Sequence, residues 1–214
     1  VPSDSGLLTT VGLQVEGKTS YALEGSAFIA GAAVQWLRDG LNFIEDSPEV
    51  EALASQVEDN GGVVFVPALT GLGAPHWRPE ARGLICGLTR GTTRAHLARA
   101  TLEGIALQIH DLAEAMTQDL GQPLAEFKVD GGAAANDLLM QIQADLLLTD
   151  VVRPQTVETT SIGAAMLAGL SVGFWNGLDE LRASWREERR FKPESSAKRR
   201  ETLLQQWRDA VGKT

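Results

Sequence analysis

The longest periodic pattern of apolar and polar positions in the chain runs from Thr92 to Leu120. Apolar residues recur along it at alternating spacings of four and three, which brings them to one side of a helix. These positions are Ala98, Leu102, Ile105, Ile109, Leu112 and Met116. Thr92 or Thr93 can cap the first turn, and Gly121 stands where a glycine commonly terminates a helix. The pattern therefore predicts a long helix with one continuous apolar seam.

Extended segments are predicted from runs of β-branched and apolar residues. Leu7–Val15 is such a run and extended character resumes at Thr19–Leu23, so the two predict a hairpin that turns at residues 16–18. Four further strands are predicted at residues 63–66, 84–88, 127–130 and 151–152, the last of them ended by Pro154. The segment 70–83 is too rich in glycine and proline for regular structure and is either an ordered functional loop or a plain connector.

Besides the helix within the stretch Phe127–Leu148, four more helices are predicted, and one of them contains an interior glycine whose presence must be explained. The helix predicted at residues 27–41 is crowded with small residues and carries Gly31 in its interior, which costs about 1 kcal/mol relative to alanine. Close contact with another helix is the usual reason for such a glycine, and contact with a ligand is the other. The remaining helices are predicted at residues 48–58, at 161–175 with Thr159 or Thr160 as cap, and at 198–211 with Leu203, Leu204 and Trp207 as the docking stripe.

The order of these elements predicts the fold class. Hairpin strands come first and later strands alternate with helices, which favours an α/β domain with a mixed sheet and helices on both faces. In such sheets ligands bind at the carboxyl ends of strands. Gly131 and Gly132 are predicted to lie at such an end.

The stretch Phe127–Leu148 reads as a strand, a turn of small residues and a helix. The first turn of that helix is expected to present free backbone N–H groups, and Gly131 and Gly132 lack a Cβ that would keep a ligand from the main chain. This arrangement suits an anion or the sugar of a nucleotide. A tight turn that needs glycine only for its dihedral angles is the competing interpretation, and the residues alone leave both open.

Composition narrows the classes of partner. The chain has 214 residues, a net charge of −9 and a pI of about 4.9, which argues against a general binder of nucleic acid or of anionic membranes. A single cysteine, Cys86, excludes an internal disulfide and fits a cytoplasmic location. We find no membrane span and no export signal, and because the first residue is Val1 we expect the chain to be part of a longer protein.

Few side chains stand out as candidates for chemistry. His76, His96 and His110 are far apart in the sequence and only one cysteine exists, so no metal site is predicted. We expect His96 and His110 to be surface or capping residues, and Cys86 to belong to the core. Asp130 could act as a base or hold a magnesium-bound phosphate, or it could cap the turn that follows it. The residues by themselves predict an α/β domain with one nucleotide-sized site.

Five blocks of sequence resemble a known family. The segment GLICGLTRGTTRAHLARATLEG, residues 83–104, resembles the signature in the carboxyl-terminal half of the FGGY carbohydrate kinases. The blocks at 21–41, 65–83, 129–145 and 158–175 resemble, within that family, the branch that phosphorylates glycerol. The resemblance keeps the family's order and spacing from about Gly6 to Pro193.

The resemblance implies an actin-like, ribonuclease H-like ATPase fold, of which this chain is the carboxyl-terminal, nucleotide-binding lobe. Residues 1–193 form that lobe in this interpretation, and 194–214 add a surface helix of the same domain. Gly31, Gln35, Gly132 and Asn136 match family positions that bind the nucleotide. The catalytic and polyol-binding residues are expected in an amino-terminal lobe, so no catalytic residue and no metal ligand is assigned to this chain.

The reaction implied for the whole enzyme is ATP + glycerol → ADP + sn-glycerol 3-phosphate, with Mg²⁺. Further expectations are a cytoplasmic homo-oligomer at full length, and an inactive fragment that binds ADP weakly and self-associates through an exposed apolar face. Two alternatives are a lobe of another FGGY sugar kinase and a non-catalytic interaction module. A dinucleotide-binding fold is disfavoured, because no G-x-G-x-x-G run follows a predicted strand.

Overall fold

The computed structural model describes residues 2–15 and 17–214; Glu16 of the predicted hairpin turn lies outside the described residues. The strands are β1 Leu8–Val15, β2 Lys18–Glu24, β3 Val64–Val66, β4 Leu84–Cys86, β5 Phe127–Lys128, β6 Val151–Pro154 and β7 Glu187–Phe191. The helices are α1 Gly31–Asp39, α2 Glu49–Ala54, α3 Arg94–Leu120, α4 Asp137–Leu147, α5 Thr159–Ser171, α6 Leu178–Ser184 and α7 Ala197–Val211. A 3₁₀ turn, Gly132–Ala135, leads into α4.

The described strands form three small sheets. β1 and β2 pair as an antiparallel hairpin, and β3 pairs with β4 in the same sense. In the third sheet β6 is central, parallel to β5 and antiparallel to β7. The predicted α/β class with a mixed sheet is therefore confirmed, although the amino-terminal hairpin forms a sheet of its own rather than an edge of the mixed one.

Helix α3 is the centre of the fold and packs against α1, α2, α4, α7 and β3. Its ends follow the prediction: Thr93 and His96 form a capping box, with Thr93 N–H donating to His96 Nδ1 at 3.1 Å, and Gly121 ends the helix in the left-handed conformation. Gly104 lets α3 approach β3 closely, because a Cβ there would overlap the carbonyl oxygen of Phe65. The predicted apolar seam thus lies in the core.

The carboxyl-terminal helix α7 is docked onto this core. Leu204 and Trp207 are buried, as the predicted stripe requires, and Leu203 packs beside them. Trp207 Nε1 donates to Asp111 Oδ2 on α3 at 2.8 Å, and Arg200 Nε donates to the carbonyl oxygen of Leu146 at 2.7 Å. Both polar contacts tie α7 to helices far from it in sequence.

The structure corrects the predicted elements at several places, and the helix predicted at residues 48–58 covers only Glu49–Ala54. The helix predicted from residue 27 begins at Gly31, because residues 27–30 are an irregular segment. The helix predicted to end at residue 175 ends at Ser171, before the left-handed Gly173. Strand β7 and helix α6 were not predicted, since the charged sequence of β7 lacks the alternation that marks a strand. No helix among the described residues has the length and apolarity to cross a membrane.

Candidate functional site

A cleft of about 520 Å³ opens between α1, α2, the middle of α3 and the turn that follows β5. Gly31, Gln35, Gly132 and Asn136, which the sequence places 100 residues apart in two groups, all line it. Its apolar wall consists of Val34, Pro48, Val50, Leu102, Ile105 and Leu139. The structure therefore brings every predicted site residue to one cavity. Aliphatic side chains form its wall, and main-chain and side-chain amide groups lie along its rim.

The two predicted glycines leave open space in the cleft. A Cβ on Gly132 would meet nothing within 4 Å, and one on Gly31 would lie 3.8 Å from Cβ of Ala133, an ordinary contact. Neither residue has a backbone conformation that demands glycine, whereas Gly131 does, with φ of 77°. Of these glycines, only Gly131 is needed for its backbone dihedral angles. Neither dihedral angles nor packing within the protein requires glycine at positions 31 and 132.

Helix α1 presents its first turn to the cleft. It begins at Gly31, and no described side chain caps it. The first N–H groups of a helix have no partner within it and carry the positive end of the helix dipole, which favours an anionic or carbonyl oxygen. Gln35 lies one turn further on, exposed at the cleft rim.

The N–H groups in the first turn of α4 were predicted to be free, but side chains of the protein accept hydrogen bonds from three of them. Glu51 on α2 accepts from the N–H groups of Asp137 and Leu138 at 3.3 and 3.1 Å, and Asn136 Oδ1 accepts from Leu139 N–H at 2.8 Å. A carboxylate of the protein thus occupies the position expected for a ligand anion. In the described part of the chain no hydrogen bond engages Asn136 Nδ2, which leaves that amide as a donor toward the cleft.

Arg153 on β6 holds the turn in place, and the sequence did not single it out. Its Nη1 donates to the carbonyl oxygen of Ala134 and to Asp137 Oδ1, each at 2.8 Å, and its Nε donates to Glu188 Oε2 at 2.7 Å. The side chain is 11% exposed, and the hydrogen bond to Glu188 raises the pKa of Arg153, so the guanidinium stays charged. In the sequence, Arg153 is a basic residue between the strand predicted at residues 151–152 and Pro154, and this position alone did not indicate its role.

Asp130 also lines the cleft, and it is tied to the start of α5. Thr159 Oγ1 donates to Asp130 Oδ2, and the N–H of Gly131 donates to the carbonyl oxygen of Val157 at 2.8 Å. Asp130 does not cap the turn that follows it, because that turn has no side-chain cap. The capping interpretation is therefore wrong, and the loop is anchored to the next helix instead.

The histidines differ in burial and in the contacts that they make. His96 caps α3 as predicted, but His110 is buried, so its prediction as a surface residue is wrong. His76 Nε2 lies 2.8 Å from Asp111 Oδ2. Burial opposes ionisation of Asp111, yet the neighbouring His110 and the hydrogen bonds from His76 and Trp207 lower the pKa of Asp111 to about 2. Cys86 packs against the core but is only partly buried.

His110, Asp111 and Glu114 are close enough to consider as a metal site. Nη2 of Arg200 lies 3.2 Å from His110 Nε2, and since arginine only donates, that nitrogen accepts. The proton of the neutral ring then sits on Nδ1, which faces Asp111 Oδ1 at 3.7 Å. Metal binding at Nδ1 would require that proton to move to Nε2, which faces the arginine donor, so this group does not fit a metal.

Comparison with known proteins gives consistent relatives. Residues 1–172 match the FGGY family of carbohydrate kinases, C-terminal domain. The chain is 61% identical to the glycerol kinase of Myxococcus xanthus over 213 residues, which is 99% of this chain and 43% of the relative. It is 57% identical to glycerol kinase 2 of Sulfolobus acidocaldarius, over 98% of this chain and 42% of the relative. The chain therefore spans less than half the length of the relatives it matches.

Solved structures agree with this comparison. The Plasmodium falciparum glycerol kinase with ADP superposes with a TM-score of 0.88 at 38% identity, over 99% of this chain and 42% of that one. A ligand-bound xylulose kinase from Lactobacillus acidophilus superposes with a TM-score of 0.82 at 21% identity, over 99% and 43%. The second similarity shows the fold alone, which is the actin-like architecture expected from the sequence.

Proposed function

The chain belongs to the FGGY family of carbohydrate kinases, as its carboxyl-terminal domain, and we propose that it is the ATP- and ADP-binding lobe of a glycerol kinase. Relatives at 61 and 62% identity are glycerol kinases, which supports this branch over the xylulose and gluconate kinases that share the fold at 21 to 28% identity. The related structure with ADP supports the choice of nucleotide.

The observation that carries the proposal is the shared cleft of Gly31, Gln35, Gly132 and Asn136. A nucleoside needs apolar surface for its base and polar groups at the base edge and sugar. The cleft offers the aliphatic wall, two side-chain amides and main chain bared at two glycines. The free amide nitrogen of Asn136 and the uncapped start of α1 are the donors that this chain would contribute.

In the whole protein these residues would align the nucleotide for phosphoryl transfer. The proposed reaction is ATP + glycerol → ADP + sn-glycerol 3-phosphate, with catalytic and glycerol-binding residues outside this chain. Alignment contributes much of the rate of such a transfer, and Mg²⁺ when bound neutralises the charge on the phosphates. Glycerol, Mg²⁺, a cytoplasmic location and a homo-oligomeric full-length protein are part of the proposal on the strength of the family resemblance.

We propose further that residues 194–214 belong to the same domain as residues 1–193. The burial of Trp207 to 1% exposure and its bond to Asp111 support one folded unit. A tail that docks in this way is expected to unfold together with the rest of the lobe.

Titration of ADP into the chain by isothermal calorimetry tests the proposal. We expect weak binding that Gly132→Val abolishes, because its branched side chain would project into the cleft and keep a ligand from the main chain. Gly91→Val is the matched control, since Gly91 also lies in a turn with only an ordinary contact nearby but is outside the cleft. Unaltered binding by the Gly132 variant, equal loss in the control, or no binding at millimolar ADP would each contradict the proposal.

A further inference from the structure

The carboxylate of Glu51 reaches from helix α2 to the start of α4. Its Oε2 accepts from the N–H of Asp137 at 3.3 Å, and its Oε1 accepts from the N–H of Leu138 at 3.1 Å. Glu51 lies 86 residues from Asp137 in the sequence and also lines the cleft. Glu49, on the same helix, instead accepts from the nearby N–H of Glu45 and does not line the cleft. Of these two carboxylates, only that of Glu51 connects α2 to the cleft.

Asn136 completes the same set of hydrogen bonds. It directly precedes α4, and its Oδ1 accepts from the N–H of Leu139 at 2.8 Å. An N–H group cannot donate to an amide nitrogen, so this contact determines which end of the side-chain amide is the oxygen. The first three N–H groups of α4 thus find acceptors on two side chains. The Nδ2 of Asn136, which no hydrogen bond engages in the described part of the chain, is the end that remains for a ligand.

Glu51 determines this orientation of the Asn136 amide. A residue in the position of Asn136 can accept from the second or from the third N–H of the helix. The second N–H belongs to Leu138, and it donates to Glu51 instead. Without that carboxylate, the N–H groups of Leu138 and Leu139 would compete for Asn136 Oδ1. The amide would then no longer be held with its nitrogen toward the cleft.

We infer that Glu51 is a positioning residue of the nucleotide cleft and that it acts through Asn136. The inference rests on the proposed function, in which the ligand of Asn136 is the nucleoside end of ADP. With Oδ1 bound to the helix, Asn136 offers only a donor, so the nucleoside must present an acceptor to it, such as a ring nitrogen or a sugar oxygen. Charge alone predicts the opposite effect, because a carboxylate repels an anionic nucleotide and its neutralisation would strengthen binding.

Calorimetric titration of ADP and of adenosine into the chain tests the inference by the sign of the change. In Glu51→Gln one acceptor oxygen becomes an amide nitrogen, so we expect both ligands to bind about fivefold more weakly, the effect of one lost hydrogen bond. Glu51→Asp keeps the charge but is one methylene shorter. We expect the same loss there, because its carboxylate cannot reach both N–H groups. Glu49→Gln is the matched control and is expected to change each affinity by less than about twofold.

A double-mutant cycle with Asn136→Ala separates positioning from a general effect on stability. If Glu51 acts through Asn136, Glu51→Gln is expected to weaken ADP binding by less than about twofold once the Asn136 amide is gone. In the ligand-free chain, the NMR signals of the Asn136 side-chain amide are expected to shift in Glu51→Gln and to stay in place in Glu49→Gln.

Three outcomes would overturn the inference while leaving ADP binding by the cleft intact. They are unchanged or tighter binding in Glu51→Gln, unchanged binding in Glu51→Asp, and the full loss in the Asn136→Ala background. Slow hydrogen exchange in the α3 core of each variant shows that the lobe has folded, so that a loss of binding is not a failure to fold. Absence of ADP binding by the unaltered chain would contradict the proposed function itself, and the inference with it.

Discussion

Thr159, the first residue of α5, donates its hydroxyl hydrogen to Asp130, which lines the cleft of Gly31 and Gly132. A second bond, from Gly131 N–H to the carbonyl oxygen of Val157, runs beside it. The two bonds join the loop that carries Gly132 to the start of α5, a helix none of whose residues is buried. The cleft loop and the start of α5 are therefore held together by two hydrogen bonds.

Removing the hydroxyl of Thr159 tests this connection. In Thr159→Val the loop loses one tether, so we expect ADP affinity to fall about fivefold, which corresponds to one hydrogen bond of about 1 kcal/mol. Exchange of the amides at residues 130–135 is expected to become faster. Thr160→Val is the control, since the exposed side chain of Thr160 makes no hydrogen bond to the loop among the described residues. Identical affinities for the two variants would disprove the connection.

Arg153 is expected to support the fold and the cleft together. Lysine keeps the charge but cannot donate at once to Ala134, Asp137 and Glu188, so Arg153→Lys is expected to lower the free energy of unfolding by about 2 kcal/mol. ADP affinity is expected to fall as well, because the 3₁₀ turn loses its anchor. Urea unfolding and calorimetry measure the two effects.

A matched arginine provides the comparison. Arg182 pairs with Asp179 on the surface and its side chain is 75% exposed, so Arg182→Lys is expected to change the free energy of unfolding by less than about 0.5 kcal/mol. If both lysine variants were equally stable, the buried contacts of Arg153 would contribute nothing beyond its charge.

Protonation of Asp111 is expected to account for part of the stability that the folded chain loses in acid. Its pKa of about 2 in the folded chain lies below the usual value of 3.8, so the folded state gains stability above pH 4 and loses it as the pH falls toward 2. Between pH 6 and 2.5 this one carboxylate accounts for about 1.5 kcal/mol of the decrease. Asp111→Asn is expected to remove that share, measured by urea unfolding at both pH values, whereas exposed Glu201→Gln should keep the wild-type difference.

Two glycine-to-alanine substitutions are expected to separate folding from binding. Gly104→Ala forces a methyl group against the main chain of Phe65 and should cost about 3 kcal/mol of stability. Gly132→Ala meets open space, so its stability should stay the same or rise by about 0.5 kcal/mol, while ADP affinity falls at least tenfold. Thermal unfolding and ADP titration of both variants check this; a destabilised Gly132 variant would mean that its glycine serves the fold.

The sequence predicted what depends on local pattern or on motif. Helix α3 follows from its spacing of apolar residues, and the four cleft residues follow from the family motifs. The start of α1 was placed four residues too early, because small residues at 27–30 are compatible with a helix and only the surrounding structure excludes one. The burial of His110 was missed for a similar reason, since α7 supplies the cover from 90 residues away.

Long-range polar contacts could not be predicted at all. Glu51 is one of 28 acidic residues, and its role at α4 depends on a contact across 86 residues. Arg153 looks like any basic residue until β7 brings Glu188 to it, and β7 itself has no strand pattern because charged pairs hold its side chains. Each of these residues becomes recognisable only after the chain has folded.

The contact between Gly104 and Phe65 lies behind the cleft, on a different side of α3 from Leu102 and Ile105, which form part of the cleft wall. Any shift of α3 away from β3 would push those two side chains into the cleft. Gly104 therefore helps to set the depth of the cleft, although it does not line the cleft itself. Studies that aim to change the selectivity of the cleft, or to compare it among relatives, should therefore include position 104 as well as the residues that line the cleft.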